Sequence, residues 1–255
     1  MQVFKDVRRE GAMNICVTGG AGFIGSHLVE LGHDVLVIDN LSTGMRSFVH
    51  EDAQFIEMDV RDPKLLSVFE EFKPSIVFHE AAQTMVQSSM ENPSYDCDVN
   101  LIGLINVLDA CRKVNVEQFL MPSSAAVYGD LAVLPLTEDL SGMPSSFYGL
   151  TKLTAEGYLR IYHEAFGLNT VCFRYANVYG PRQGDGGEGG VISIFNRLIV
   201  EGQPLTVFGD GEQTRDFIYV DDVVDANIKA MGNGQCTGIY NISTNKGTSV
   251  NELIT

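Results

Sequence analysis

The sequence predicts an α/β fold built on a doubly wound parallel sheet, with a smaller, partly interleaved C-terminal lobe. Three observations favour this class. Short runs rich in β-branched and aromatic residues alternate with longer segments whose apolar residues recur at i, i+3 and i+4. The short runs are apolar along most of their length, as strands buried on both faces are. Repeated in the order strand, helix, strand, these segments make βαβ units with right-handed crossovers.

The elements follow one another regularly along the chain. The predicted strands span 14–19, 34–39, 54–59, 75–81, 117–124 and 169–177. Helical spacing is clearest over 93–115 and 146–166. A glycine-rich polar loop over 180–190 then leads to helical patterns over 191–201 and 221–231. This change in the sequence pattern indicates that a second lobe begins here.

The predicted domain boundaries follow from these patterns. Residues 1–12 have mixed charge and no apolar stretch, so we expect a short N-terminal extension rather than a secretion signal. The first domain is predicted to span 13–180, with 216–242 partly returning to it. The smaller lobe is predicted to comprise 181–215 and 243–255.

The composition excludes several classes of protein. The 255 residues carry a formal net charge of −16 and no basic tract, so nucleic acid and anionic membrane surfaces are not expected partners. No apolar run reaches the roughly 20 residues that cross a bilayer. The five cysteines are scattered and never spaced as C-x-x-C, which indicates reduced thiols in the cytoplasm rather than disulfides or a metal site.

A glycine motif lies between the first predicted strand and the following helix. In "VTGGAGFIGSH", Gly19, Gly22 and Gly25 allow a tight turn and a close approach of the backbone to a pyrophosphate. Asp39 ends the next strand, where a carboxylate accepts from the adenosine ribose and repels a 2′-phosphate. The unit therefore predicts a Rossmann-type site for NAD rather than NADP; the alternative is a glycine-rich turn without a ligand.

A tyrosine and a lysine, Tyr148 and Lys152, lie four residues apart within "SSFYGLTK". On a helix they share one face. An ammonium about 6 Å from the phenol, at an effective dielectric of about 20, contributes about 2.8 kcal/mol, enough to lower the phenol's pKa by about two. By themselves the two residues are equally an ordinary amphipathic pair.

Eight segments in order along the chain carry a resemblance to a known family. They are "TGGAGFIGSH", "DNLSTG", "MDVRD", "HEAAQ", "SSAAVYG", "SFYGLTK", "RYANVYGPRQ" and "GDGEQTRDFIYVDD". Together they cover nearly the whole chain. The sequence resembles the extended short-chain dehydrogenase/reductase family, in its NAD-dependent epimerase/dehydratase branch, and is most similar to UDP-glucose 4-epimerases within that branch.

The resemblance implies a reaction and a catalytic set. NAD+ would take a hydride from C4 of a UDP-hexose and return it to the other face, through a 4-keto intermediate. The implied catalytic residues are Ser124, Tyr148 and Lys152. Tyr148 would act as base and acid, Lys152 would bind the nicotinamide ribose, and Ser124 would bind the sugar oxygen.

The resemblance also implies residues that bind the two ligands. Those implied for NAD are Gly19, Gly22, Phe23, Ile24, Gly25, Asp39, Asn40, Ser42, Thr43, Gly44, Asp59, Val60, Ala81, Ala82, Gln83, Asn100, Tyr148, Lys152 and Tyr175. Those implied for the UDP-sugar are Ser124, Tyr148, Asn177, Val191, Gln203, Phe208 and Arg215. Taken singly, Ser124 and Asn177 are equally cap or turn residues, and Arg215 beside Asp216 is equally a surface ion pair.

Departures from the family pattern refine the expectation. Dehydratases of this branch carry an acidic pair where this chain has Ala125 and Ala126, so dehydration is set aside. Glu80 replaces an apolar residue, and the sequence assigns it no role. Phe147 replaces a proline and is expected to loosen the start of its helix. The first helix is short, and the substrate lobe is expected to be truncated relative to the family.

Several alternatives stay open. Within enzymes they are a UDP-N-acetylglucosamine 4-epimerase, a UDP-glucuronate epimerase and a UDP-glucuronate decarboxylase that forms UDP-xylose. A non-catalytic NAD-binding protein and an inactive fragment are the others. The family's dimer surface falls on 93–115 and 146–166, so a homodimer is expected. The apolar stripe Leu101, Leu104, Leu108, Tyr158 and Tyr162 either forms that surface or belongs to the core.

Overall fold

A computed structural model describes residues 12–29, 33–131, 133–184 and 190–255. The predicted N-terminal extension, apart from Ala12, and the middle of the glycine-rich loop lie outside the described residues. None of the described helices is long and apolar enough to cross a membrane.

The main sheet has seven parallel strands. They are β1 (Asn14–Thr18), β2 (Asp34–Asp39), β3 (Gln54–Glu57), β4 (Ile76–His79), β5 (Gln118–Ser124), β6 (Asn169–Tyr175) and β10 (Gly238–Ile242). Their order is β10-β6-β5-β4-β1-β2-β3, so the chain winds outward in both directions from β1 and β4. The predicted doubly wound α/β fold is confirmed.

Helices cover the main sheet on both faces, and in the described part of the chain four short strands form two further two-stranded sheets. The helices are α1 (Phe23–Leu28), α2 (Leu65–Phe72), α3 (Val86–Glu91), α4 (Pro93–Cys97), α5 (Leu104–Val114), α6 (Phe147–Phe166), α7 (Val191–Val200), α8 (Val220–Ala230) and α9 (Val250–Leu253). The short strands are β7 (Asn177–Tyr179), β8 (Thr214–Arg215), β9 (Phe217–Tyr219) and β11 (Thr248–Ser249). β7 pairs with β9 in parallel, and β8 pairs with β11 in antiparallel fashion.

Two apolar cores lie on opposite faces of the sheet. On one face Phe69 of α2 and Leu108 of α5 are fully buried against the strands, together with Leu159 of α6. On the other face Leu28 of α1 and Val223 of α8 are buried. The continuous apolar character of the strands is thus explained, because each strand contributes side chains to both cores.

Three predicted strands end two residues earlier than the sequence indicated. β3 stops at Glu57, β4 at His79 and β6 at Tyr175. In each case the omitted residues continue from the carboxyl end of the strand, and most of them line the cavity described below. These residues therefore contribute to the cavity wall rather than to pairing within the main sheet.

The helical span predicted over 93–115 is interrupted. It divides into α4, a π-helical segment over Asp98–Gly103, and α5. The π segment buries Asn100, whose side chain bonds both backbone polar groups of Gln83 at 2.9 Å. A tertiary contact therefore accompanies the change of helix type, as is common at functional positions.

The stripe of residues considered for a dimer surface belongs mainly to the core. Leu104 and Leu108 are fully buried, and Tyr162 is 8% exposed. Tyr158, by contrast, is 36% exposed. The core interpretation therefore holds for most of the stripe.

β10 lies within the range predicted to return to the first domain, and it pairs with β6 at the edge of the main sheet. Asn241 of β10 also accepts a hydrogen bond from the Tyr128 hydroxyl at 2.7 Å. The division of the chain at residue 180 stays a prediction.

Candidate active site

A cavity of about 440 Å³ opens at the carboxyl edge of the main sheet, where the winding reverses between β1 and β4. This is the place at which open parallel sheets bind their ligands. It is lined by all the predicted NAD-binding residues except Gly44 and Asn100, and by Ser124. The sequence motifs that are far apart along the chain thus meet at one site.

The glycine loop between β1 and α1 is packed too tightly for side chains. Gly19 has φ +72°, and a Cβ there would lie 2.5 Å from the amide nitrogen of Ala81. A Cβ on Gly25 would collide with the carbonyl oxygen of Gly19, and one on Gly22 would also press on that oxygen at 3.2 Å. Glycine is required here by the approach of the loop to α1 and to the end of β4.

Asp39, the last residue of β2, holds two loops beside the cavity. Its carboxylate accepts from the amide of Ala21 at 3.0 Å and from the amide of Leu41 at 2.8 Å. The side chain is 8% exposed and faces the cavity, where an anionic 2′-phosphate would be repelled. Gly44 lies outside the cavity wall but packs against Ala21, which it supports.

The end of β3 supplies a second acidic residue, Asp59. It accepts from Asn40 Nδ2 at 2.8 Å and forms an ion pair with Arg61 at 2.7 Å. The hydrogen bonds from Arg61 hold the pKa of the Asp59 carboxyl well below its usual range. Asp59 therefore stays ionised and fixes the shape of this end of the cavity.

Ser124 and Tyr148 reach the cavity from β5 and α6. Ser124 ends β5, and its Oγ accepts from the amide of Ala126 at 3.2 Å. The α6 helix begins at Phe147 and is capped by Ser146, whose Oγ accepts from the amide of Gly149 at 3.1 Å. The expected loosening by Phe147 is wrong, because this cap satisfies the first turn without a proline.

Lys152 lies one turn further along α6 and is only 5% exposed. Its Nζ donates to the carbonyl of Pro122 at 2.9 Å and lies 5.9 Å from the centroid of the Tyr148 ring. The predicted arrangement of phenol and ammonium on one helix face is therefore present in the structure.

The protonation of Tyr148 differs from the expectation. Burial raises the pKa of Tyr148 to about 12, and a hydrogen bond with Ser124 opposes this shift. The expected net depression of the phenol's pKa is wrong for this structure, because desolvation of the phenolate outweighs the opposing hydrogen bond with Ser124.

Gln83 and Asn100 belong to a buried hydrogen-bonded group behind the cavity wall. Asp96 accepts from Gln83 Nε2 at 2.8 Å, from Asn100 Nδ2 at 3.1 Å and from Thr151 Oγ1 at 2.8 Å. Asn100 does not line the cavity, so it acts on the site by fixing Gln83. Thr151 connects the same group to α6, next to Lys152.

The comparison with known protein families agrees with this geometry. The model of the NAD dependent epimerase/dehydratase family matches residues 15–243. The chain belongs to this family. Membership establishes NAD as the cofactor and an epimerase-type Rossmann fold as the scaffold.

Relatives within the epimerase/dehydratase family are similar over most of their length. A putative UDP-glucose 4-epimerase of Methanocaldococcus jannaschii is 45% identical over 94% of this chain and 79% of that protein. The structure of a Thermotoga maritima UDP-glucose 4-epimerase with UDP-glucose matches at a TM-score of 0.90 and 42% identity, over 94% of this chain and 80% of that one. The structure of a UDP-N-acetylglucosamine 4-epimerase of Methanobrevibacter ruminantium, solved with UDP-N-acetylmuramic acid, matches at a TM-score of 0.90 and 36% identity. The match covers 95% of this chain and 80% of that one.

Of the residues expected to bind the sugar nucleotide in this epimerase/dehydratase-family member, Ser124 and Tyr148 line the cavity and the other five do not. Asn177 donates to the carbonyl of Asp216 at 3.1 Å, while its neighbours Ala176 and Val178 line the wall. The others outside the wall are Val191, Gln203, Phe208 and Arg215. Phe208 is 81% exposed, and Arg215 Nη1 donates to the carbonyl of Thr214 at 2.8 Å. The roles of these residues stay predictions.

Several wall residues were not predicted from the sequence. They are Ile38, Met58, Glu80, Thr84, Met85, Ser88, Tyr95, Val99, Pro122, Ser123, Ala176, Val178, Gln183 and Gly184. Most of those from α3, α4 and the π segment have no motif that marks them. Gln183 ends the segment "RYANVYGPRQ", so position within a recognised motif was the available signal.

Proposed function

We propose that this protein is an NAD-dependent UDP-hexose 4-epimerase that interconverts UDP-glucose and UDP-galactose. One observation carries the proposal: Ser124, Tyr148 and Lys152 meet the glycine loop at a single cavity. A protein that only binds NAD needs the glycine loop and Asp39, and it has no need of the other three residues.

The residues of the chain fit an NAD molecule at this cavity. Gly19, Gly22 and Gly25 line the cavity without side chains, so the loop backbone is open to a ligand there, and Asp39 presents a carboxylate at the end of β2. These residues would hold the pyrophosphate and the adenosine ribose, and Lys152 would bind the other ribose. NAD+ supplies the hydride acceptor and a positively charged ring, and that charge favours the phenolate of Tyr148.

Tyr148 and Ser124 account for proton transfer at the sugar. Tyr148 takes the proton of the 4-hydroxyl as the C4 hydride leaves, which gives the 4-keto sugar. After the sugar turns, the hydride returns to C4 and Tyr148 gives the proton back, so no net oxidation occurs. Ser124, hydrogen-bonded with Tyr148, orients the sugar oxygen for both transfers.

The turn after β5 favours epimerisation over dehydration. Ala125 and Ala126 form the beginning of a 3-10 turn next to Ser124. Neither side chain can donate or accept a proton, whereas expulsion of water across C5 and C6 needs an acid and a base there. The 4-keto sugar would therefore be reduced again rather than dehydrated.

We expect the purified protein to convert UDP-glucose into a mixture with UDP-galactose. The test is incubation with separate UDP-glucose, UDP-galactose, UDP-N-acetylglucosamine and UDP-glucuronate samples, followed by proton NMR of the products. Conversion of the N-acetylated sugar alone would favour the second candidate, a UDP-N-acetylglucosamine 4-epimerase, which the Methanobrevibacter relative supports. A 6-deoxy-4-keto sugar or a pentose product would contradict the epimerase assignment.

We also propose that the enzyme is a homodimer of the cytoplasm. An apolar stripe with helical spacing on α6 is formed by Phe147, Leu150, Tyr158 and Ile161, each 36–51% exposed. It adjoins a groove that Leu150 shares with Ile102 of the π segment. A contiguous apolar surface of this kind is typical of an interface between copies of a chain. The five free cysteines fit a reducing compartment.

Substituting Ile161→Glu should convert the dimer to a monomer, because a carboxylate desolvated within an apolar interface has no partner. Light scattering coupled to size exclusion measures the mass. The control is Ile199→Glu on α7, where the isoleucine is also exposed, at 61%, but lies away from the stripe. A monomeric wild-type protein would refute the dimer, and an Ile161→Glu protein that stays dimeric would refute the α6 stripe as its interface.

A further inference from the structure

Glu80 is a carboxylate in the catalytic cavity that the proposed mechanism does not use. It follows β4, and its amide donates to the carbonyl of Thr18 at 2.9 Å. It shares the cavity wall with Tyr148, Lys152 and Tyr175. Within the described part of the chain its side chain has no hydrogen bond or ion pair, which is unusual for a partly buried carboxylate.

No carboxylate among the described residues forms an ion pair with the nearby ammonium of Lys152. Its Nζ bonds the carbonyl of Pro122, a neutral acceptor. Burial lowers the pKa of Lys152, and the charge of Glu80 is the largest influence in the opposite direction. A buried ammonium keeps its proton near neutral pH only when negative charge compensates the loss of water.

Asp96 is one of two other carboxylates near Lys152, and it is already occupied. It accepts three hydrogen bonds, from Gln83, Asn100 and Thr151, at 2.8–3.1 Å. These donors stabilise its charge and hold it behind the cavity wall. It is therefore fixed in place for a structural role.

Glu156, one turn beyond Lys152 on α6, is occupied as well. It forms a buried ion pair with Arg174 at 2.7 Å and accepts from Ser123 Oγ at 2.6 Å. The guanidinium neutralises its charge. Of the three carboxylates that act on Lys152, only Glu80 has a side chain not committed to another partner within the described residues.

The other titratable groups around Glu80 are neutral near pH 7. Burial lowers the pKa of His79 to about 3, and its ring bonds Thr18 Oγ1 at 2.8 Å. Burial raises the pKa of Tyr148 to about 12, and it raises the pKa values of Tyr175 and the Cys172 thiol well above their ordinary values. Among these described groups, Glu80 is therefore the one whose charge changes near pH 7, and burial lowers the pKa of Lys152 beside it.

We propose that Glu80 is a positioning residue of the active site, whose carboxylate keeps the Lys152 side chain in its ammonium form. It acts through Lys152 and does not touch the sugar. This inference rests on the proposed function for its consequence in catalysis, since the ammonium is needed to bind ribose and to favour the phenolate. The effect of Glu80 on the protonation of Lys152 does not depend on which substrate the enzyme uses.

The sign of the pH dependence follows from the two charges. Burial raises the pKa of Glu80 to about 7, and Lys152 opposes that rise. Glu80 is therefore protonated below about pH 7 and charged above it. Its support of the ammonium is present at alkaline pH, where Lys152 would otherwise lose its proton.

The test is a titration of Lys152 followed by NMR of protein labelled with [ε-13C]lysine, with NAD added. The chain has seven lysines, so the spectrum is simple, and Lys152→Met assigns the signal. In the wild-type protein we expect a small inflection near pH 7 from Glu80 and a main inflection at higher pH. In Glu80→Gln the first should vanish and the second should fall by about one pH unit or more.

Glu117→Gln is the matched control, because Glu117 is exposed and precedes β5 at the opposite edge of the sheet. It should reproduce the wild-type titration. A Glu80→Gln titration that overlays the wild type overturns the proposal. If Glu80→Gln does not fold, the wild-type inflection near pH 7 decides, and its absence overturns the proposal.

Activity gives a second measurement that a merely structural role would not change. The alkaline limb of the kcat/KM profile should move to lower pH in Glu80→Gln, and Glu80→Asp should restore part of it. An unchanged limb contradicts the proposal. The NMR titration needs no turnover, so failure of the UDP-sugar assignment and failure of the Glu80 proposal give different results.

Discussion

Tyr148→Phe should lower kcat by about 10³-fold and leave the bound NAD in place. The substitution removes only the hydroxyl, the group that exchanges the proton with the sugar. The ring keeps its packing, and the amide of residue 148 can still donate to Ser89 Oγ, as it does at 3.1 Å. Turnover is measured as UDP-galactose formed from UDP-glucose, and retained NAD by absorbance after denaturation.

Tyr158→Phe is the control for the Tyr148 variant. Tyr158 lies on the same helix, is 36% exposed and does not line the cavity. Its loss of a hydroxyl should change kcat less than about twofold. Wild-type activity in Tyr148→Phe would exclude Tyr148 as the acid/base, and loss of NAD would show that the hydroxyl serves binding instead.

Arg174→Met should destabilise the protein by about 3–5 kcal/mol, because it leaves the carboxylate of Glu156 buried without a counter-charge. Both side chains are nearly inaccessible, at 5% and 4% exposure. Arg174 also donates to the hydroxyl of Tyr128 at 2.8 Å, so a second buried group loses a partner. Urea unfolding followed by circular dichroism measures the change in free energy of unfolding.

Two further variants test whether the loss of stability comes from leaving a charge unpaired in the core rather than from breaking any ion pair. Arg160→Met breaks an exposed pair with Glu164 on the same helix and should cost less than about 1 kcal/mol. The double variant Glu156→Leu with Arg174→Met removes both charges and should recover most of the lost stability. A single variant as stable as the wild type would show that Glu156 is not compensated by Arg174.

The buried pair also explains how the catalytic side chains are held. Ser123, Glu156 and Arg174 form one hydrogen-bonded group that joins β5, α6 and β6. Ser123 and Arg174 immediately precede the cavity residues Ser124 and Tyr175, and Glu156 is one turn beyond Lys152. The alignment of three separate elements at the site thus depends on one ionic contact in the core.

The fold could be predicted from the sequence because its strands are buried on both faces. The residues at 35–38 and 119–122 are apolar without a gap, and the observed strands β2 and β5 begin and end within one residue of the predicted ones. The breaks over 93–115 could not be predicted. The π segment is tied to a contact between Asn100 and Gln83, which are 17 positions apart, and no local pattern encodes it.

Site residues could be predicted where a single short segment contains both the reactive side chains or glycines and the spacing that places them together. The glycine loop and the pair Tyr148 and Lys152 are of this kind. Glu80 could be recognised from the sequence as a departure from the family pattern, but it could not be assigned a role. The role that we propose depends on Lys152, which lies 72 positions away in the sequence. The rise in the pKa of Tyr148 was missed for a related reason: spacing gives the distance to an ammonium but not the extent of burial.

The position of β10 late in the chain affects how the main sheet forms during synthesis and how its gene segments can be exchanged. β10 covers the edge of β6 only after the chain has formed the elements from β7 to α8, and Asn241 then joins the buried group through Tyr128. A chain released at residue 180 would leave β6 as an open edge strand. A ribosome must therefore make the chain through Ile242 before the main sheet closes, and recombination cannot exchange this sheet as a segment that ends at residue 180.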